Sequence, residues 1–159
     1  MRKHDSALDF DLAKVVVRAN ENPVFYVQYG HARAQSVFRK AKEVFPDLDF
    51  SMGALEAAQM GLLQDSGERD IIKFLARYPR VIERAARERE PHRIPFYLYE
   101  LASLFHTQHA RGRDLPQLRF IEQDNRELTV ARLALVRAVQ MVITSGLLIL
   151  GVEAPDEMR

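Results

Sequence analysis

The sequence predicts an all-α fold, a helical bundle of about six or seven helices. Three observations predict it. Apolar residues recur three and four positions apart through most of the chain, the spacing that gives a helix one buried face. Prolines and small polar residues fall mostly between these periodic stretches, where they cap or stop helices. No window alternates as a strand does, and Val15-Val16-Val17 is too short to outvote its helical surroundings.

Taken in order, residues 1–11 (MRKHDSALDFD) are polar and without period, and read as a linker or the tail of something upstream. Residues 12–159 read as the all-α domain. A helix is expected over 12–19, with Asp9 or Asp11 near its start. Residues 20–22 make a turn, and Pro23 stands at the first position of the next helix, where a missing N–H costs nothing. That helix runs to about Phe45 and is stopped by Pro46.

Ser51 can cap a helix over 52–63, weakened by Gly53 and Gly61. QDSGE is a loop, with Ser66 capping a helix over 68–77. Pro79 opens a strongly charged helix through about Glu90, and PHRIP is a further break. Pro95 starts a helix that ends near Gly112. The loop RDLPQLRFIEQD precedes a long helix over 125–150, with Gly151 as its stop and VEAPDEMR as a short tail.

Composition narrows the classes. The chain has 159 residues, 47% of them hydrophobic and 28% charged, which suits one globular domain with a real core. It contains no cysteine, which excludes disulfides and thiolate metal sites and fits a reducing cytoplasm. Residues 1–20 show no signal-peptide pattern. The longest apolar stretch, 141–152, includes Thr144, Ser145 and Gly146; it is too short to span a bilayer and reads as a buried helix. The net charge is only +1, with basic and acidic residues interleaved. Composition therefore gives no electrostatic argument for nucleic acid, and an RNA partner would have to be held by a local site.

Helical projection separates core from candidate function. After Pro95, Tyr97, Leu98, Leu101, Leu104 and Phe105 form an apolar face, while Tyr99, Ala102, His106 and His109, extended by Arg113, lie opposite. Tyrosine, imidazole and guanidinium on an exposed stripe can stack on unpaired bases and hydrogen-bond to them. On the residues alone the stripe reads rather as a solvated face, with Tyr99 half buried against a neighbouring helix; a surface that docks a protein partner is a further alternative. After Pro23, Val27, Ala34, Phe38, Ala41 and Phe45 form the core stripe, flanked by Tyr29, Arg33 and Lys40. That flank suits a base plus phosphates, or merely borders the core as long cations do.

The last helix is apolar almost all round except for Arg126, Arg132 and a strip of Arg137, Gln140 and Thr144. Arg126 and Arg132 are either internal partners or projections toward RNA. His106 and His109 are three residues apart, but a metal needs a third ligand, and only Glu100 or distant His92 is on offer; no metal is expected. No catalytic constellation is visible: the chain lacks a Gly-rich phosphate loop, GxSxG and HExxH. Glu83, Glu88 and Glu90 among Arg84, Arg87 and Arg89 read as pairs on a solvated helix face.

Three long segments carry a resemblance. LDFDLAKVVVRANENPVFYVQYGHARAQSVFRKA (8–41) resembles the junction of arginyl-tRNA synthetases, where the catalytic domain passes into the anticodon-binding domain. FYLYELASLFHTQHARG (96–112) resembles a central helix of that domain, and NRELTVARLALVRAVQMVITSGLLILGVEAPDEM (125–158) its C-terminal signature. The resemblance implies the all-α anticodon-binding bundle of class I aminoacyl-tRNA synthetases. It implies arginine tRNA as partner, through its anticodon loop, and the catalytic domain of the same protein as a neighbour. Neither membrane nor DNA is an expected partner, and the location is cytoplasmic.

The whole enzyme's activity would be ATP-dependent attachment of arginine to its tRNA, with ATP and Mg as cofactors. The HIGH-like and KMSKS-like signatures for that chemistry are absent here, so a truncated piece without cofactors, inactive by itself, is expected. By resemblance, Tyr29 helps form the anticodon-loop surface, and Arg33 lies one turn further along the same helix. By the same resemblance, Met158 corresponds to a terminal methionine that packs against anticodon bases in the family. His109 stands where many members have a stacking aromatic, so His106 and His109 mark a candidate face. Arg126 and Arg132 match basic positions at the head of the last helix. The alternative is a standalone helical interaction domain with no RNA role.

Overall fold

Asn22 and Pro23 set the start of the first helix described: the Asn22 side chain accepts from the Val24 N–H at 3.0 Å, and Pro23 occupies the first turn. A computed structural model describes residues 22–158; the expected linker 1–11 and helix 12–19 lie outside them. Among the described residues there are six α-helices, two 3₁₀ turns and no strand.

Helix α1 spans Pro23–Val44. Ser51 caps the short α2, Met52–Glu56, which gives way to a separate 3₁₀ turn at Met60–Leu62. The single helix expected over 52–63 is therefore broken, because Gly53 and Gly61 favour helix too weakly to carry it through. Helix α3, Ser66–Leu75, is capped by Asp65 rather than Ser66. The Asp65 carboxylate accepts from the Gly67 N–H at 2.9 Å, and Glu68 accepts from the Asp65 N–H at 3.2 Å, a reciprocal capping box.

Helix α4, Tyr78–Glu88, ends at Arg89 in the left-handed conformation, φ 56°. Helix α5, Arg93–Asp114, starts two residues before Pro95, whose ring fits a first turn. After a 3₁₀ turn at Pro116–Leu118, helix α6 runs over Arg126–Ile149, capped by Asn125 and closed by Gly151 at φ 69°.

Helix α6 is the central element. Ala131, Leu133, Leu135, Val136, Val139 and Ile143 are all buried, facing Leu98, Leu101 and Phe105 of α5 and Ala34, Phe38 and Ala41 of α1. By length and composition α6 could cross a bilayer, but half of its most apolar window is buried inside the bundle. Helix α1 runs antiparallel to it: the Arg137 guanidinium lies 4.0 Å from the Phe38 ring centroid, and that of Arg126 lies 5.7 Å from Phe45. Helix α5 runs alongside α1 in the same direction, with Tyr26 against Tyr99 at 4.9 Å and Arg33 against His106.

Gly30 permits this convergence, since a Cβ there would lie 3.3 Å from Ile143 and 3.5 Å from Ala102. A buried ion pair crosses the core: Arg132 Nε donates to Glu68 at 2.6 Å. Its other nitrogens donate to the carbonyls of Arg119 and Gln117 at 2.7 and 2.9 Å, pinning the α5–α6 connection onto the bundle.

Candidate nucleic-acid interface

The seam between α1 and α5 places a line of rings and cations. Tyr26 meets His106 edge-on at 4.7 Å, and His106 lies 5.6 Å from Tyr29. Arg33 closes the group. One of its terminal nitrogens donates to His106 Nδ1 at 2.7 Å, another donates to the Tyr29 hydroxyl at 3.1 Å, and its guanidinium lies 4.6 Å from the Tyr29 ring centroid.

The tautomer of His106 follows from its neighbours. Nδ1 faces a guanidinium and must accept, so the proton sits on Nε2, which donates to the Tyr26 carbonyl at 3.3 Å. Burial pushes the imidazole down to about 4, and the charge of Arg33 works in the same direction, against the bond to Tyr26. His106 is therefore a neutral, internal strut near neutral pH.

His109, one turn further on, is half buried and likewise lowered to about 4, first by burial and then by Arg33, Arg113 and Lys40. A neutral imidazole offers a ring face and a hydrogen bond but no charge.

The C-terminal tail completes the site. Gln28, His31, Gln35 and Arg39, spaced along one face of α1, all bond to it. Gln28 donates to the Glu153 carbonyl at 2.8 Å and Gln35 to the Asp156 carboxylate at 2.7 Å. His31 Nδ1 donates to the Pro155 carbonyl at 2.9 Å, which leaves Nε2 to accept from Gln140 at 3.4 Å. Arg39 donates to the Asp156 carbonyl and pairs with Glu157 at 3.7 Å. This lacing carries Met158 to the α1–α5 seam. Tyr29, Arg33, Ser36, Arg39, His109 and Met158 thus line one cleft of about 440 Å³.

Of the residues singled out from sequence, Tyr29, Arg33, His109 and Met158 are brought together in that cleft. The other three are not. His106 is only 8% exposed and holds Arg33 rather than facing solvent, because the side of α5 read as an open stripe is covered by α1; Ala102 on the same side is wholly buried. A protein partner cannot dock on that stripe as a continuous surface. Arg132 is 3% exposed with every guanidinium nitrogen engaged internally, so its role is structural. Arg126 is exposed but pairs with Asp47 at 2.8 Å over Phe45, and lines no part of the cleft.

Arg39 and the anchoring residues of α1 were missed. The polar spacing 28–31–35–39 was their signal. Among the described residues no group of three His, Cys, Asp or Glu side chains could hold a metal ion.

The sequence pattern of the DALR anticodon binding domain matches residues 27–158, from the first turns of α1 to the laced methionine. The chain belongs to the DALR anticodon-binding domain family. The arginine–tRNA ligase of Methylobacterium sp. (strain 4-46) is 61% identical over 158 residues, 99% of this chain and 27% of that protein. The corresponding ligase of Bradyrhizobium sp. (strain ORS 278) is 59% identical over 162 residues, with the same coverage. This anticodon-binding domain thus spans about a quarter of the length of the curated relatives it matches.

A crystal structure of a Campylobacter jejuni protein, proposed there to be an arginyl-tRNA synthetase, shares the fold. It superposes with a TM-score of 0.78 at 24% identity, over 99% of this chain and 31% of that one. The resemblance carried by the three segments is borne out by these relatives, and the all-α DALR bundle by the fold.

Proposed function

We propose that this DALR domain grips the anticodon loop of an arginine tRNA, as part of an arginine–tRNA ligase. One observation carries the reading: Tyr29, His109 and Met158, from three separate parts of the sequence, meet in one cleft beside Arg33 and Arg39. Two rings and a thioether offer flat or deformable apolar surfaces to unstacked bases, and the arginines offer donors to base edges or phosphates. A loop presents such bases already free of pairing, so little energy is spent in exposing them.

The relatives' names supply the substrate class, arginine tRNA, and the whole protein's reaction, joining arginine to it. ATP and Mg²⁺ are assigned to the portion of such a ligase that this domain does not span. The same reading puts the protein in the cytoplasm.

The test is binding of the chain to an arginine-tRNA anticodon stem-loop, beside a stem-loop with scrambled loop bases, at two salt concentrations. Tighter, salt-sensitive binding to the true loop supports the reading, because phosphate contacts release counterions and base contacts discriminate. Equal binding to both loops, or none, refutes it for this domain.

A further inference from the structure

The base cleft continues past His109 into a second groove, of about 580 Å³, between α1 and the α5–α6 connection. His109 lines both. We propose that this second groove holds the RNA sugar–phosphate chain leaving the base cleft, with Lys40 and Arg113 contacting its phosphates. The inference rests on the RNA-binding reading above and adds a second subsite to it.

The charges are arranged for it. Lys40 from α1 and Arg113 from the last turn of α5 line the groove on either side of His109, and both are exposed. Among the described residues neither has a hydrogen-bond or ion-pair partner. Arg84 and Arg87 of α4, by contrast, are each neutralised by a neighbouring glutamate, Glu88 and Glu83. Two exposed cations lining one groove offer an entering phosphodiester chain positive contacts whose strength falls with salt.

Glu122 and Asp124 also line the groove. Around His109, however, the charges that lower its imidazole are Arg33, Arg113 and Lys40, all positive, while Glu157 in the adjoining cleft pairs with Arg39. The end nearest the base cleft is therefore the cationic one.

The groove's shape is fixed by close packing. Gly112 lies against the connection so tightly that a Cβ would sit 3.1 Å from Arg119 Cα and from the Leu118 carbonyl. Arg119, on that connection, donates through Nε to the Gly112 carbonyl at 3.2 Å and lines the groove as well. Arg132 holds the same segment from beneath. A preformed groove loses little entropy when the RNA chain enters it.

The experiment compares the unsubstituted chain with Lys40→Gln, Arg113→Gln and the double variant. Each is titrated with the true and the scrambled anticodon stem-loop across a series of salt concentrations. Both positions are exposed, and circular dichroism checks that each variant is folded. The expected result is weaker binding to both loops by the same factor. The slope of log affinity against log salt should be shallower by about 0.7 for each single-strand phosphate that is no longer neutralised. Preference for the true loop should be unchanged.

Binding with an unaltered salt slope in the double variant overturns the groove while leaving the base cleft standing. Loss of the preference for the true loop also overturns it, since the groove would then be reading bases. Absence of binding by the unsubstituted chain overturns the RNA reading and the groove with it.

Discussion

Arg33 donates to His106 Nδ1 at 2.7 Å, and that bond is what aims a cation into the base cleft. The imidazole is held from behind by the Tyr26 carbonyl and is kept neutral by burial, so it can accept from a guanidinium that would repel an imidazolium. His106 therefore serves to position Arg33 and, on the proposed reading, does not itself meet the RNA.

His106→Ala removes the acceptor for Arg33, while the Tyr26 carbonyl keeps its place in the α1 hydrogen-bond ladder. A hydrogen bond to a charged group is worth about 1.5–3 kcal/mol. Loop affinity is expected to fall about tenfold or more. His106→Gln, which can place an acceptor near Arg33, should recover part of the affinity; a side chain that only fills space would give no such rescue.

Breaking the Arg132–Glu68 pair should be among the most damaging changes in the domain. Both side chains are buried, and Glu68→Ala strands a guanidinium in the core. The expected cost is about 3–5 kcal/mol in urea unfolding. Loss of the exposed Arg87–Glu83 pair should cost less than about 1 kcal/mol.

Acid should destabilise the domain through its histidines. His106 and His109 titrate near 4 in the fold and at their ordinary 6.5 in the unfolded chain, so the unfolded state binds the extra protons first. Stability should be flat above about pH 6.5 from this source, and should fall as the pH drops from there toward about 4. Proton titration followed by nuclear magnetic resonance should show both rings neutral at pH 6. Removing both imidazoles should flatten the acid limb.

The tail is predicted to act through its lacing. Met158→Ala should weaken loop binding by roughly tenfold, the scale of removing one base stack. His31→Ala, which cuts the bond to the Pro155 carbonyl, should weaken it similarly by freeing Met158. The double variant should be little worse than either alone, because both remove one interaction. Helix content by circular dichroism should stay close to that of the unsubstituted chain.

The helices were largely legible because local chemistry sets their ends. Asn22 with Pro23, Ser51 and Asn125 each cap where their side chains allow. Local rules failed where two candidates stood side by side: Asp65 took the cap from Ser66 because Glu68 answers it three residues on. The site was half legible. Tyr29, Arg33 and His109 stood out on helical faces and by resemblance, and Met158 by resemblance alone, but what joins them is tertiary. The burial of His106 depends on α1 covering α5, and the partner of Arg132 lies 64 residues away. Nothing in the spacing around either residue records such a neighbour.

The most direct measurement places 2-aminopurine at successive positions in the anticodon loop and follows its fluorescence as the chain is added. The account predicts a saturable change at one or more loop positions, as the base leaves its neighbours and stacks in the cleft, and loss of that change in Tyr29→Ala. Saturable binding with no change at any loop position, or an identical change in Tyr29→Ala, would contradict it.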